Sequence, residues 1–205
     1  MPISFLPLVQ EMLDGLKQTP GLRLLHAEIA PPASAAALST ARNYAGYRLP
    51  AGVAEFYGEL NGLEVAWESE DGKAQGAIAL LPVERIFGNW KGAIWFDDFP
   101  GGDRFRPVKP FDFFQPEGCA AFLHKSEGIA DETVYFHAVG EALCSTGYTF
   151  LEYIDRMLAC RGYLYWPLTL CAETQANPEV ASFRAHIPRL FPDCPLELFR
   201  PRQTS

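Results

Sequence analysis

"LPAGVAEFYGELNGLEVAWESEDGKAQGAIALLP", residues 49–82, carries two periodicities in one run. In its first half Val53, Phe56, Tyr57 and Leu60 recur at i, i+3, i+4 and i+7, which places four apolar side chains on one helical face. Pro50 suits the first turn of that helix, and Asn61-Gly62 supplies a left-handed stop. In the second half Leu63, Val65 and Trp67 alternate with Glu64, Ala66 and Glu68, the period-two pattern of a half-buried strand. "EDGK" then gives an Asp-Gly turn and "GAIALL" a second strand, so a hairpin is predicted. A helix this short is marginal alone in water. It is therefore expected to lay Phe56, Tyr57 and Leu60 on the sheet that begins directly after it.

Working outward, residues 3–17 form an amphipathic helix with Val9, Met12, Leu13 and Leu16 on one side, closed by Thr19-Pro20-Gly21. "LRLLHAEIA" is compatible with a strand, and "PPASAAALSTAR" with a loop or short helix. Downstream, "PVERIFGNW" predicts a short helix with Val83, Ile86 and Phe87 inward. Three more strands are predicted at 93–98, 119–125 and 133–139. Between the first two, the Pro/Gly-rich stretch 99–118 reads as a long ordered surface loop. The pattern Thr149-x-x-Glu152 opens a helix carrying Phe150, Leu151, Ile154, Met157 and Leu158. Beyond Pro167 one further helix is expected at 178–187, followed by a Pro-rich tail.

Helices at both ends around a run of short strands predict an α+β fold: a mixed, mostly antiparallel sheet with helices packed mainly on one face. The expected organisation is an N-terminal helical extension over 1–45, a core domain over 46–167 and a C-terminal appendage over 168–205. That appendage packs on the domain or on a second copy, which would make a homo-oligomer.

The 205 residues are 48% hydrophobic, 13% aromatic and 20% charged, an ordinary globular composition. No run approaches the roughly 18 apolar residues of a membrane span. The first residues lack a basic leader and carry Glu11 and Asp14 inside the apolar stripe, so no secretory signal is expected and the cytoplasm is the expected compartment. Five widely spaced cysteines suggest neither a disulfide framework nor a CxxC site. A net charge of −8 disfavours direct nucleic-acid binding and favours a basic protein partner, though such a charge also serves solubility.

The ordered set Leu49-Pro50, Phe56-Tyr57, Asn61-Gly62 and Leu81-Pro82, then an acidic aromatic strand, a late helix and a Tyr-Leu-Tyr-Trp-Pro ending, resembles the SUKH superfamily over about residues 45–168. The resemblance implies an α+β sandwich that is a binding scaffold and not an enzyme. Bacterial members of that superfamily are typically immunity proteins that neutralise secreted toxins such as nucleases and deaminases, and eukaryotic members are signalling partners. The chain departs from the superfamily core by its long additions at both ends.

No phosphate-cradling glycine pattern and no GxSxG elbow occur. His26, His124, His137 and His186 are singletons, with His124 and His137 on neighbouring predicted strands where they could meet as a metal or catalytic pair, or stand as separate structural histidines. Asp97 and Asp98 are adjacent on a predicted strand, so they point to opposite faces and do not readily share a cation. No cofactor is expected. The acidic set Glu64, Glu68, Glu70, Asp71, Asp97, Asp98 and Asp103 is the candidate partner-binding rim, fitted to a basic toxin domain, against the alternative of a solvated polar face. In the 99–118 stretch, Phe99, Phe105, Phe111, Phe113 and Phe114 either anchor a partner or pin the loop to the core. The competing functional expectation is a small hydrolase-like enzyme with a pocket under that loop.

Overall fold

The computed structural model describes residues 4–98, 101–125, 127–138 and 142–202. Helix α1 (Phe5–Gln18) buries Phe5, Val9, Met12, Leu13 and Leu16, and strand β1 (Leu22–Ile29) follows. Helix α2 (Ala35–Tyr44) starts where the Ser34 hydroxyl accepts the Ala37 N–H at 3.1 Å. Helix α3 (Val53–Tyr57) leads into the hairpin of β2 (Leu63–Ser69) and β3 (Gln75–Leu80). Helix α4 (Val83–Ile86), strands β4 (Val108–Gln115), β5 (Gly118–Leu123), β6 (Thr133–Ala138) and β7 (Leu143–Thr149), and helices α5 (Phe150–Ala159) and α6 (Pro178–Leu190) complete the order.

The described strands form one seven-stranded sheet in the order β1-β2-β3-β4-β5-β6-β7, each neighbouring pair antiparallel. The fold is therefore α+β, and its sheet is antiparallel throughout. One apolar cluster gathers side chains from all six helices, from Phe5 to Phe183, onto the face carrying Val65, Trp67, Ile78, Leu80, Phe122 and Val134. The helices thus share one side of the sheet. Phe183, Ile187, Phe191 and Phe199 belong to the same cluster.

Val53, Phe56, Tyr57 and Leu60 are all fully buried, as their spacing predicts. Phe56 meets Phe5, Tyr57 and Phe150 edge-on at 5.2, 5.3 and 5.5 Å between ring centroids. The helix is shorter than the stripe suggests. Gly52 stands before it at φ +82, where a Cβ would lie 2.3 Å from Leu151 Cγ, so residues 50–52 turn and helical backbone begins at Val53. Asn61 does more than end α3. Its Oδ1 accepts the Val83 N–H at 2.9 Å and its Nδ2 donates to Glu84 at 3.1 Å, which caps α4.

Two expectations are corrected, and one strand is added. Residues 93–98 are not a strand: the Trp90 carbonyl accepts the N–H groups of Ala93 and Ile94 at 3.2 and 2.9 Å, which coils the segment into turns. The 99–118 stretch is not one loop, because its second half is the central strand β4. Pro110 is accommodated there because the register shifts between Pro110 and Asp112, where a missing N–H breaks no regular ladder. Finally β7 was hidden by its polar residues. Buried Thr146 donates its hydroxyl to the Val134 carbonyl at 2.6 Å, which lets a polar side chain occupy the helix-covered face.

The opposite face of the sheet is covered over β4–β6 by the segment before β4. Ile94, Trp95 and Phe105 pack there on Val108, Cys119 and Ala121. Over β1 and β2 the same face is open, with Arg23, Glu28 and Glu64 exposed.

Between β3 and β4 the sheet opens. The strands stay in register at Leu80 and Asp112, while the Ala77 N–H turns to the Gly162 carbonyl and the Gln75 carbonyl accepts the Leu164 N–H, at 2.8 and 2.9 Å. The Ala79 N–H is satisfied by Asp112 Oδ1 at 2.9 Å. Among the described residues no helix is long and apolar enough to cross a membrane.

Candidate partner-binding surfaces

The acidic residues fall into two groups, each interleaved with cations. Glu64 and Glu68 project from β2 onto the open face, where Glu64 lies 3.5 Å from His26 Nε2 and Glu68 pairs with Arg23. Glu70 and Asp71 form the turn after β2. Asp71 Oδ1 accepts the Ser69 hydroxyl at 2.7 Å and the Lys73 N–H at 3.1 Å, and these bonds, led by that of Ser69, hold its carboxyl below the usual range. Asp97, Asp98 and Asp103 are exposed on the segment that covers β4–β6. Asp97 pairs with Lys91 and lies 3.5 Å from Arg106; both cations flank the Trp95 ring, Lys91 Nζ at 5.7 Å and Arg106 at 4.4 Å from its centroid. Glu64 and Glu68 lie over β2 on the side away from the helices and the second group lies over β4–β6 on that same side, with β3 between them. Glu68, Asp71 and Asp97 each pair with a neighbouring cation.

The aromatic residues after residue 100 serve the core: Phe105, Phe111 and Phe114 are buried and Phe113 is half-buried, whereas Phe99 lies outside the described residues. Trp67, Trp95 and Trp166 are buried as well. His124 and His137 do not meet. His124 stacks on Phe87 at 5.7 Å on the helix side, and burial followed by the nearby Lys109 charge pushes its pKa down to about 4. His137 is buried on the other side against Phe105 at 4.6 Å, opposite Cys119, with Nδ1 3.0 Å from the Ala142 carbonyl oxygen. His186 joins neither. Its Nδ1 lies 2.7 Å from the Tyr163 hydroxyl and 3.2 Å from that of Ser182, one turn earlier on α6. Among the described residues no three His, Cys, Asp or Glu side chains come together as metal ligands.

A surface that the sequence does not announce lies at the end of α2. Tyr44 is 60% exposed and Tyr47 84% exposed, and Tyr47 holds a left-handed backbone at φ 71. A tyrosine in that region is strained, at a cost of about 1–3 kcal/mol. Gly46 beside it approaches the Gly128 carbonyl so closely that a Cβ would sit 2.5 Å from that oxygen, which brings half-exposed Ile129 next to the tyrosine turn. Arg48 fastens the same turn to Glu132 at 2.6 Å, and the Ala51 N–H donates to the second oxygen of that carboxylate at 2.8 Å. The result is two outward tyrosines and an isoleucine on a braced turn. Its signal in the sequence is faint, because "NYAGYR" carries no periodicity.

In comparisons with known proteins, no family model, no curated protein and no solved structure matches this chain.

Proposed function

We propose that this chain is a non-catalytic protein-binding scaffold of the immunity type that its SUKH resemblance implies, acting in the cytoplasm on a basic protein partner such as a toxin domain. The observation that carries the reading is Tyr47, 84% exposed while strained at φ 71, beside Tyr44 and Ile129 on a turn braced by Glu132. Tyrosine offers large contact area at low entropy cost and is enriched in interface hot spots. The Tyr47 N–H donates to the Arg42 carbonyl at 2.7 Å, closing the end of α2, and Glu132 braces the turn, so the fold itself holds the left-handed backbone and leaves the ring outward for contact. The charge of −8 favours a cationic partner, with Glu70 and Asp97 among the groups that would speed encounter. Five buried, unpaired cysteines fit a reducing compartment.

The test is to purify the products of genes adjacent to this one and titrate each against the chain by calorimetry, measuring inhibition of any toxic activity in parallel. The expected result is a stoichiometric, inhibitory complex that Tyr47→Ala weakens at least about 30-fold, the scale of a hot spot. Charge reversal at Glu70 and Asp97 should slow association more than it speeds dissociation. Binding indifferent to Tyr47→Ala, or no complex with any neighbour, overturns the reading.

A further inference from the structure

The side of α6 facing β3 borders two adjoining hollows of about 210 and 240 Å³ that share two lining residues, Tyr165 and Glu179. Glu179 sits in the first turn of α6, and its Oε2 is buried with no hydrogen-bond partner among the described residues. Glu179 is half-buried, and because a shielded carboxylate oxygen without a donor is less favourable than the same atom in water, a donor entering the hollow would stabilise it. Tyr165 holds a left-handed backbone at φ 58, a second strained tyrosine. Its hydroxyl donates to Glu117 at 3.0 Å, and its ring packs edge-on to Phe114 at 6.1 Å and over Gly118, where a Cβ would lie 3.5 Å from Tyr165 Cε1. Among the described residues Lys73 is the one cation lining the first hollow, and its Nζ lies 3.4 Å from Asp71.

We propose that this groove receives the guanidinium of an arginine side chain presented by the protein partner, with Glu179 as its acceptor and the Tyr165 ring as its platform. The proposal rests on the scaffold reading for the source of the arginine. The chemistry selects arginine because a planar fork of donors reaches a carboxylate bidentately and stacks on an aromatic face, whereas an ammonium is a more strongly hydrated point charge. Glu117, bonded to the Tyr165 hydroxyl, places a second carboxylate along the same wall. An inserted arginine would thus supply the donor that Glu179 lacks while meeting an aromatic surface held by the Glu117 hydrogen bond and by Phe114.

The probe is Nα-acetyl-arginine amide, titrated into the full chain and followed by backbone amide NMR, with the neutral isostere Nα-acetyl-citrulline amide as the comparison. The arginine probe should give saturable shifts centred on residues 163–165 and 179–182 that the citrulline probe does not. Glu179→Gln should weaken binding about tenfold, Tyr165→Asn should abolish the shifts while tolerating the left-handed backbone, and Glu55→Gln, on exposed surface elsewhere, should leave them unchanged. Thermal midpoints of each variant establish that it is folded. Equal response to both probes, or shifts indifferent to Glu179→Gln, overturns the groove. Selective arginine binding by a chain that captures no protein partner overturns the source of the arginine and the scaffold reading together, and leaves the guanidinium site standing.

Discussion

The Tyr153 hydroxyl donates to Asp112 Oδ2 at 2.7 Å, joining helix α5 to the opening between β3 and β4 with both side chains fully buried. The other oxygen of Asp112 accepts the Ala79 N–H, so one carboxylate replaces a rung that the parting strands do not make. Burial pushes the Asp112 pKa up to about 6, against the two hydrogen bonds that favour its charged form. The folded state therefore binds this proton more tightly than the unfolded chain, whose aspartate titrates near 3.9. Stability from this group is fully present below about pH 4, falls as the pH rises toward 6, and stays lowered above it.

Asp112→Asn keeps an oxygen for the Ala79 N–H and, with the Tyr153 hydroxyl turned to accept from Nδ2, mimics the protonated carboxyl, so it should raise the thermal midpoint at pH 7.5 by an amount corresponding to at most about 3 kcal/mol. The gain over wild type should shrink to nothing near pH 4. A pH-independent difference measured by calorimetry would refute the titration of Asp112.

Phe56 touches three rings in a fully buried position, so Phe56→Ala should cost about 3–5 kcal/mol in urea unfolding. A near wild-type midpoint would mean that the α3 face is wrongly assigned.

Glu59 Oε2 accepts the Ser4 hydroxyl and the N–H groups of Phe5 and Leu6 at 2.8, 2.8 and 3.0 Å, doing from a distance the work of an N-cap for α1. These bonds, led by that from Leu6, lower its pKa. Glu59→Ala should cost about 1–2 kcal/mol at neutral pH. Because a lowered carboxyl pKa stabilises above its unfolded value and loses that contribution as pH falls through the folded one, the gap to wild type should close in acid. Paired urea titrations at pH 7 and pH 3 measure it.

Tyr47→Gly separates strain from function. Glycine relieves a left-handed backbone strained by about 1–3 kcal/mol but gives the unfolded chain more freedom, an opposing effect of about 1 kcal/mol. The melting temperature should stay within a few degrees of wild type while partner affinity drops as in Tyr47→Ala. A large loss of stability would show that Tyr47 packs for the fold.

Local patterns in the chain determined most of the α+β architecture. The stripe Val53-Phe56-Tyr57-Leu60, the alternation Leu63-Val65-Trp67 and the Thr149–Glu152 pairing each act within a few residues, and each has its counterpart in the structure: buried α3, strand β2, and Glu152 accepting the Thr149 N–H at 2.8 Å. What pattern could not reach are interactions between distant segments. Strand β4 contains a proline and alternates poorly because a register shift turns Phe111 and Asp112 together toward the helices, and only neighbouring strands decide where that shift falls. A cation of a distant segment likewise enters the acidic set where Arg23 pairs with Glu68, 45 residues away. The outward tyrosine turn and the unpaired oxygen of Glu179 are also products of packing: one depends on Glu132, 84 residues away from the Arg48 it holds, the other on how α6 closes over the parted strands. Short-range periodicity settles which face of an element is apolar, whereas the partner each polar group finds, or fails to find, is decided only when the whole chain has folded.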